Sequence, residues 1–189
     1  MPLVPAASGV TILAALITAG LVLPATGAAQ VTHRKTSPQA SQIRIPEAMR
    51  VEHAEIHNEL VRATKVPGRV GPAARELAAV LHPHFEREEQ IALPPLGLLA
   101  PLARGEFTPE MGAVLPMTDS LRAELPRMLE EHKAILAATL KLGEGARAEA
   151  NADAARLAES LALHARSEEE LFYPAAILVG DIVRNRTSQ

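Results

Sequence analysis

Two histidine–glutamate pairs stand out first. His84 is followed four residues later by Glu88, and His164 four residues later by Glu168. On a helix, residues four apart stack on one face, so each pair can converge on a single cation. Imidazole nitrogen with carboxylate oxygen suits iron, manganese, zinc and related metals. His53, His57 and His132 add nitrogen donors. Together His53, His57, His84, His132, His164, Glu88 and Glu168 suffice for two metals with the carboxylates bridging them. Facing helices of a bundle are an established place to build such a site.

Four segments show the helical periodicity needed to position these groups. Helix A is expected over about 46–65, with an apolar stripe of Met49, His53, Ile56 and Leu60. Helix B is expected over about 72–92, with Leu77, Leu81, His84, Glu88 and Ile91 on its stripe. Helix C is expected over about 119–142, capped by Thr118 or Asp119 and ended by Gly143, with Leu125, Met128, His132, Ile135 and Leu142 inward. Helix D starts near Asn151 or Asp153 and runs to about 173 or on to 183, with Leu157, Leu161, His164, Glu168 and Leu171 inward. Every helix thus aims a histidine at the core, and two also aim a glutamate. An ionised glutamate buried without a partner is strongly unfavourable, which gives the metal reading its force. His57, beside Ile56, is the least secured ligand of the set. His82 points away from His84, and Glu86, Glu89, Glu169 and Glu170 lie off the stripes. Glu89 and Glu169 remain available as outer partners of the ligand rings.

The bulk composition agrees. A 189-residue chain that is 48% hydrophobic can build one sizeable core, and Ala, Leu, Glu and Arg favour helix. A net charge of −3 gives no electrostatic case for nucleic acid. The absence of cysteine excludes disulfides, zinc–thiolate sites, cysteine-ligated clusters and thiol nucleophiles. No phosphate-binding glycine loop or strand–turn–serine signature is present. Residues 1–29 carry an apolar run followed by small residues and read as a signal peptide or membrane anchor, with export favoured. Any membrane contact is confined to that segment. Residues 30–45 read as a polar linker, His33 included as a solvent-exposed bystander, and 46–183 as the helical domain. Pro83, Pro126 and Pro174 are each expected to kink or restart a helix. Residues 93–117, apolar and proline-rich, are expected to form short helical turns covering one end of the bundle.

The quoted motifs resemble the hemerythrin-like HHE cation-binding domain family. The likeness rests on Glu52-His53, the run from His84 to Glu89, Glu131-His132, and the run from His164 to Glu169 followed by Leu171-Phe172-Tyr173-Pro174. It covers about residues 46–176. It implies an all-α, up-down-up-down four-helix bundle with a non-haem di-iron centre. His53, His84, Glu88, His132, His164 and Glu168 would be its ligands. Two departures matter. Oxygen-carrying members bear a second histidine four residues along the third helix, where this chain has Leu136, and the connection between helices B and C is long for the family.

The expected function is therefore metal binding of the hemerythrin type, with dioxygen or a related diatomic or peroxide as small-molecule partner, or sensing of iron or redox state. The rivals are a di-iron enzyme with peroxide-removing or ferroxidase-like activity, and a structural bundle holding zinc or no metal.

Overall fold

The computed structural model describes residues 43–188, so the expected leader, most of the expected linker and His33 lie outside the described residues. Among the described residues there are helices and no strands: α1 (Glu47–Ala63), α2 (Val70–Ile91), α3 (Leu93–Leu96), α4 (Leu99–Ala103), a 3-10 turn (Pro109–Val114), α5 (Leu115–Ala148), α6 (Ala152–Ser167), a π-helical turn (Glu168–Phe172) and α7 (Tyr173–Thr187). They pack as a helical bundle. α1 packs on α2 and α6, and α5 packs on α2 and α6; α7 packs on α5 and α3. None of these helices is long and apolar enough to cross a membrane.

The apolar stripes build the core, with one correction. Met49, Ile56, Leu60, Leu77, Leu81, Ile91, Met128, Ile135, Leu142, Leu157 and Leu161 are all buried. Leu171, expected inward, is 60% exposed. The α-helical phase that placed it inward is broken by the π turn, which instead brings Tyr173 into the core. The core falls into layers. One cluster gathers Ile56 and Leu60 from α1, Leu77, Leu81 and Phe85 from α2, Ile135 and Leu142 from α5, and Leu157 and Leu161 from α6. A second gathers Met49 from α1, Ile91 from α2, Leu121 and Met128 from α5, and Tyr173 and Ala176 from α7. The inward histidines and glutamates fall between these two clusters on every helix.

Helix C is longer than its expected limits. It starts at Leu115, so Thr118 and Asp119 are not its cap, and it runs to Ala148, so Gly143 lies inside it. Pro83 and Pro126 do not end their helices. Each costs a backbone hydrogen bond, but buried residues on both sides, Leu81 with His84 and Leu121 with Met128, hold the helix in place. Pro174 does mark a restart, at the second residue of α7. The expected short helical turns over 93–117 are present, and Leu93, Pro94, Pro95, Leu96, Leu98, Met111 and Val114 are buried under them.

Long-range caps finish the helix ends. α2 lacks a local N-cap; instead Arg69 N–H donates to the Glu149 carboxylate at 2.5 Å, from the turn between α5 and α6. Gly68 at φ 79 leaves room for that carboxylate, which a Cβ would meet at 2.2 Å. α6 is capped locally, Ala154 N–H donating to Asn151 Oδ1 at 3.0 Å.

Leu142 is fully buried in the first cluster, ten residues along α5 from His132. Leu142→Ala should lower unfolding free energy by about 2–5 kcal/mol through lost burial and a residual cavity. Chemical denaturation measures the loss, and metal content per folded chain should not change.

Candidate metal centre

The polar layer between the two apolar clusters is made of His53 on α1, His84 and Glu88 on α2, His132 on α5, His164 at the end of α6, and Glu168 opening the π turn. Each is 3% exposed or less. Their donor atoms form two groups, His53–Glu88–His164–Glu168 and His84–Glu88–His132–Glu168, with the atoms of each group within 4.8 Å of one another. Glu88 and Glu168 belong to both.

The distances show how closely the donors converge. His164 Nε2 is 2.9 Å and His53 Nε2 is 3.6 Å from Glu168 Oε1. His53 Nε2 is 3.9 Å from Glu88 Oε2. In the other group His84 Nε2 is 2.8 Å from His132 Nε2 and 3.5 Å from Glu88 Oε1, and His132 Nε2 is 3.5 Å from Glu168 Oε2. Several buried side-chain polar atoms find no hydrogen-bond partner, namely His53 Nε2, both ring nitrogens of His164, Glu88 Oε2, Glu168 Oε1 and Thr139 Oγ1. All but the last belong to this layer. Buried polar atoms are normally satisfied, so inward lone pairs left without donors fit a cation at their focus. The mix of imidazole and carboxylate suits iron, manganese or zinc.

The other ring nitrogen of each histidine meets a glutamate from a neighbouring element. His84 Nδ1 is 2.9 Å from Glu131 on α5, and His132 Nδ1 is 2.9 Å from Glu169 in the π turn. His53 Nδ1 is 3.3 Å from Glu89 on α2. His164 Nδ1 approaches Glu52 on α1 at 3.2 Å, an ion-pair contact. An ionised carboxylate only accepts, so Nδ1 carries the proton and Nε2 turns its lone pair inward. Every one of these outer glutamates sits next in sequence to an inward residue: Glu52-His53, Glu88-Glu89, Glu131-His132 and Glu168-Glu169. Each helix thus points one residue at the layer and its neighbour at the histidine of the adjacent helix.

Electrostatics tell the same story. Burial works against the charged form of His164, but Glu168, Glu52 and Glu88 prevail and hold its pKa at about 9. Burial also opposes charge on His84, yet Glu88 and Glu131 raise its pKa above the ordinary imidazole value. Burial dominates at His132 and lowers its pKa. Glu88 is pushed up by burial and by Glu168. Glu168 resists burial and is held low by His164 and His53. Glu88 and Glu168 thus favour the charged form of both His84 and His164.

Of the seven expected ligands, the fold brings six together and leaves one out. His57 is exposed, and its ring lies 5.9 Å from that of His82 in a surface groove between α1 and α2. One helical turn carries it beyond the layer, and its side faces solvent rather than the apolar stripe. His82 is exposed as expected and pairs with Glu86 at 3.3 Å. Phe85, stacked on His53 with centroids 3.9 Å apart, lines that groove together with His53.

Sequence reasoning missed three participants. Glu52 and Glu131 were given no role of their own, and only their adjacency to His53 and His132 in the quoted motifs hinted at one. Tyr173, 1% exposed, was out of phase for a helix continuing from Glu168. Its hydroxyl donates to Glu88 Oε1 and lies 3.0 Å from His132 Nε2 and 3.3 Å from His84 Nε2. Burial, then Glu88 and Glu168, push its pKa far up.

Two measurements test this arrangement. Glu131→Ala and Glu169→Ala should each weaken metal binding about 10–100-fold in chelator competition, by freeing the orientation of His84 and His132. In metal-free protein, the raised His164 pKa contributes stability that is fully present below the unfolded value of 6.5 and is lost as pH rises through about 9. Urea denaturation of chelator-treated protein should show this decline across pH 6.5–9, and His164→Ala should flatten it.

The hemerythrin HHE cation binding domain pattern matches residues 44–176. No curated protein and no solved structure matches the chain at a significant level. The matched span covers well over half of the chain and includes all six converging residues, so the chain belongs to the hemerythrin HHE cation-binding domain family.

Proposed function

We propose that this chain is a non-haem di-iron protein that binds dioxygen or a related small oxidant at its metals, or uses that chemistry to sense iron or redox state. One observation carries the reading: two buried groups of two histidines and two glutamates share both carboxylates. His53 and His164 would hold one iron, His84 and His132 the other, and Glu88 and Glu168 would bridge them.

We also infer that α1, α2, α5 and α6 run alternately up and down. What supports this is the order of layers along each helix. α1 passes from Met49 of the second cluster through His53 to Ile56 of the first. α2 passes from Leu81 of the first through Glu88 to Ile91 of the second, α5 reverses this from Met128 to Ile135, and the last rod reverses it again from Leu161 to Tyr173.

Iron held by these residues would supply electrons to a bound oxidant. The chain's own residues prepare for this in definite ways. The four Nδ1 contacts fix the rings so that the Nε2 atoms face inward. The apolar clusters on either side keep bulk water away and strengthen every charge interaction in the layer. Leu136 stands where an oxygen carrier has a further histidine and offers no donor atom. This supports a role other than simple reversible carriage.

Metal analysis after anaerobic iron loading should give roughly two irons per chain. His84→Ala and Glu168→Ala should sharply reduce that content, while His57→Ala and His82→Ala should leave it unchanged. Equal iron in all four variants would rule out this ligand set. Stoichiometric uptake of oxidant supports binding or sensing; multiple turnover with peroxide or ferrous iron would move the reading to an enzyme.

A further inference from the structure

We propose that Tyr173 is itself a ligand, coordinating the metal at the His84–His132 position through its phenolate oxygen. This rests on the metal-binding reading above and adds a donor that its ligand set does not contain.

The first argument is positional. The Tyr173 oxygen is 3.0 Å from His132 Nε2 and 3.3 Å from His84 Nε2, and it is hydrogen-bonded to Glu88 Oε1. Those two nitrogens are 2.8 Å apart. An octahedron with bonds of about 2.1 Å has edges of about 3.0 Å. The hydroxyl is therefore spaced from its neighbours as one corner of a coordination polyhedron is from the next. A cation bonded to both nitrogens and the Glu88 oxygen on the Tyr173 side of their plane would have the phenolic oxygen within reach as well.

The second argument comes from the backbone. On an α-helix, residues five apart are rotated by about 140°, so Glu168 and Tyr173 would face different sides. The π turn between them removes that offset. Tyr173 N–H bonds to Glu168 O, five residues back, and both side chains enter the same layer. Pro174 favours the irregularity, because it has no N–H and its ring crowds the carbonyl four residues earlier. π turns of this kind are frequent at functional sites. Here the turn leaves Leu171 exposed on the surface, and what it gains is the phenol at the layer.

The third argument concerns donor number. Leu136, four residues after His132, offers no third nitrogen. Tyr173 lies on that position and not on the one at His53 and His164. Ligation exchanges the O–H bond for an O–metal bond; the proton leaves to solvent and no electron is transferred.

The test is spectroscopic. A ferric phenolate gives a visible charge-transfer band and resonance-enhanced ring vibrations. Tyr173 is the only tyrosine in the chain, so in wild-type protein any such signal is its own. Iron-loaded, oxidised wild type should show both features. Tyr173→Phe should lose them while retaining iron, since all four histidines and both glutamates remain. If the variant fails to fold, the wild-type vibrations decide alone. Bound iron without phenolate vibrations would overturn the proposal and leave the di-iron reading standing, with Tyr173 as a hydrogen-bond donor to Glu88. Failure of wild type to bind iron would overturn both.

Discussion

Two carboxylates buried side by side in an apolar interior are the constraint around which this molecule is arranged. Glu88 and Glu168 are almost fully buried, and burial together with the charge of Glu168 pushes the Glu88 carboxyl up. Removing such charges from water costs several kcal/mol per ion unless opposite charge and hydrogen bonds compensate. The chain compensates from four directions, one histidine from each of α1, α2, α5 and α6. A cation at the same focus would supply the opposite charge directly.

The outer glutamates tie this layer to the fold. Each contact between a histidine and an outer glutamate joins two different elements: α1 with α2, α2 with α5, α5 with the π turn, and α6 with α1. The ring closes on itself. Ring orientation therefore depends on every helix holding its rotation relative to its neighbours, and that rotation is fixed by the apolar clusters on either side. The same clusters that stabilise the bundle also set the direction in which the lone pairs point. Those glutamates reach partly into solvent, so they connect a dry layer to water without exposing the inner donors.

At the π turn, regular helical geometry yields to the site. A helix continued in α phase would bury Leu171 and turn Tyr173 aside. Instead Leu171 is left in solvent and a phenol, expensive to bury unless hydrogen-bonded, enters the core beside Glu88. The hydrogen bond from its hydroxyl meets that expense.

The sequence by itself determined the helical class and the inward-facing residues of each helix, because both follow from a period of 3.6 and the physics of burying apolar stripes. His84 with Glu88, His164 with Glu168, and the lone inward His53 and His132 were legible for that reason. His57, beside the stripe, was counted among the donors, and the structure turns it to solvent. Helix rotation decides that, and a residue at the margin of a stripe does not reveal it. The limits of α5 were misjudged at both ends, since Thr118 and Gly143 carry local capping signals that packing overrides. Only the tertiary structure could assign Glu52, Glu131 and Tyr173. Their partners lie on other helices, or beyond a break in helical phase, and no spacing along one chain segment encodes the distance between two separate rods.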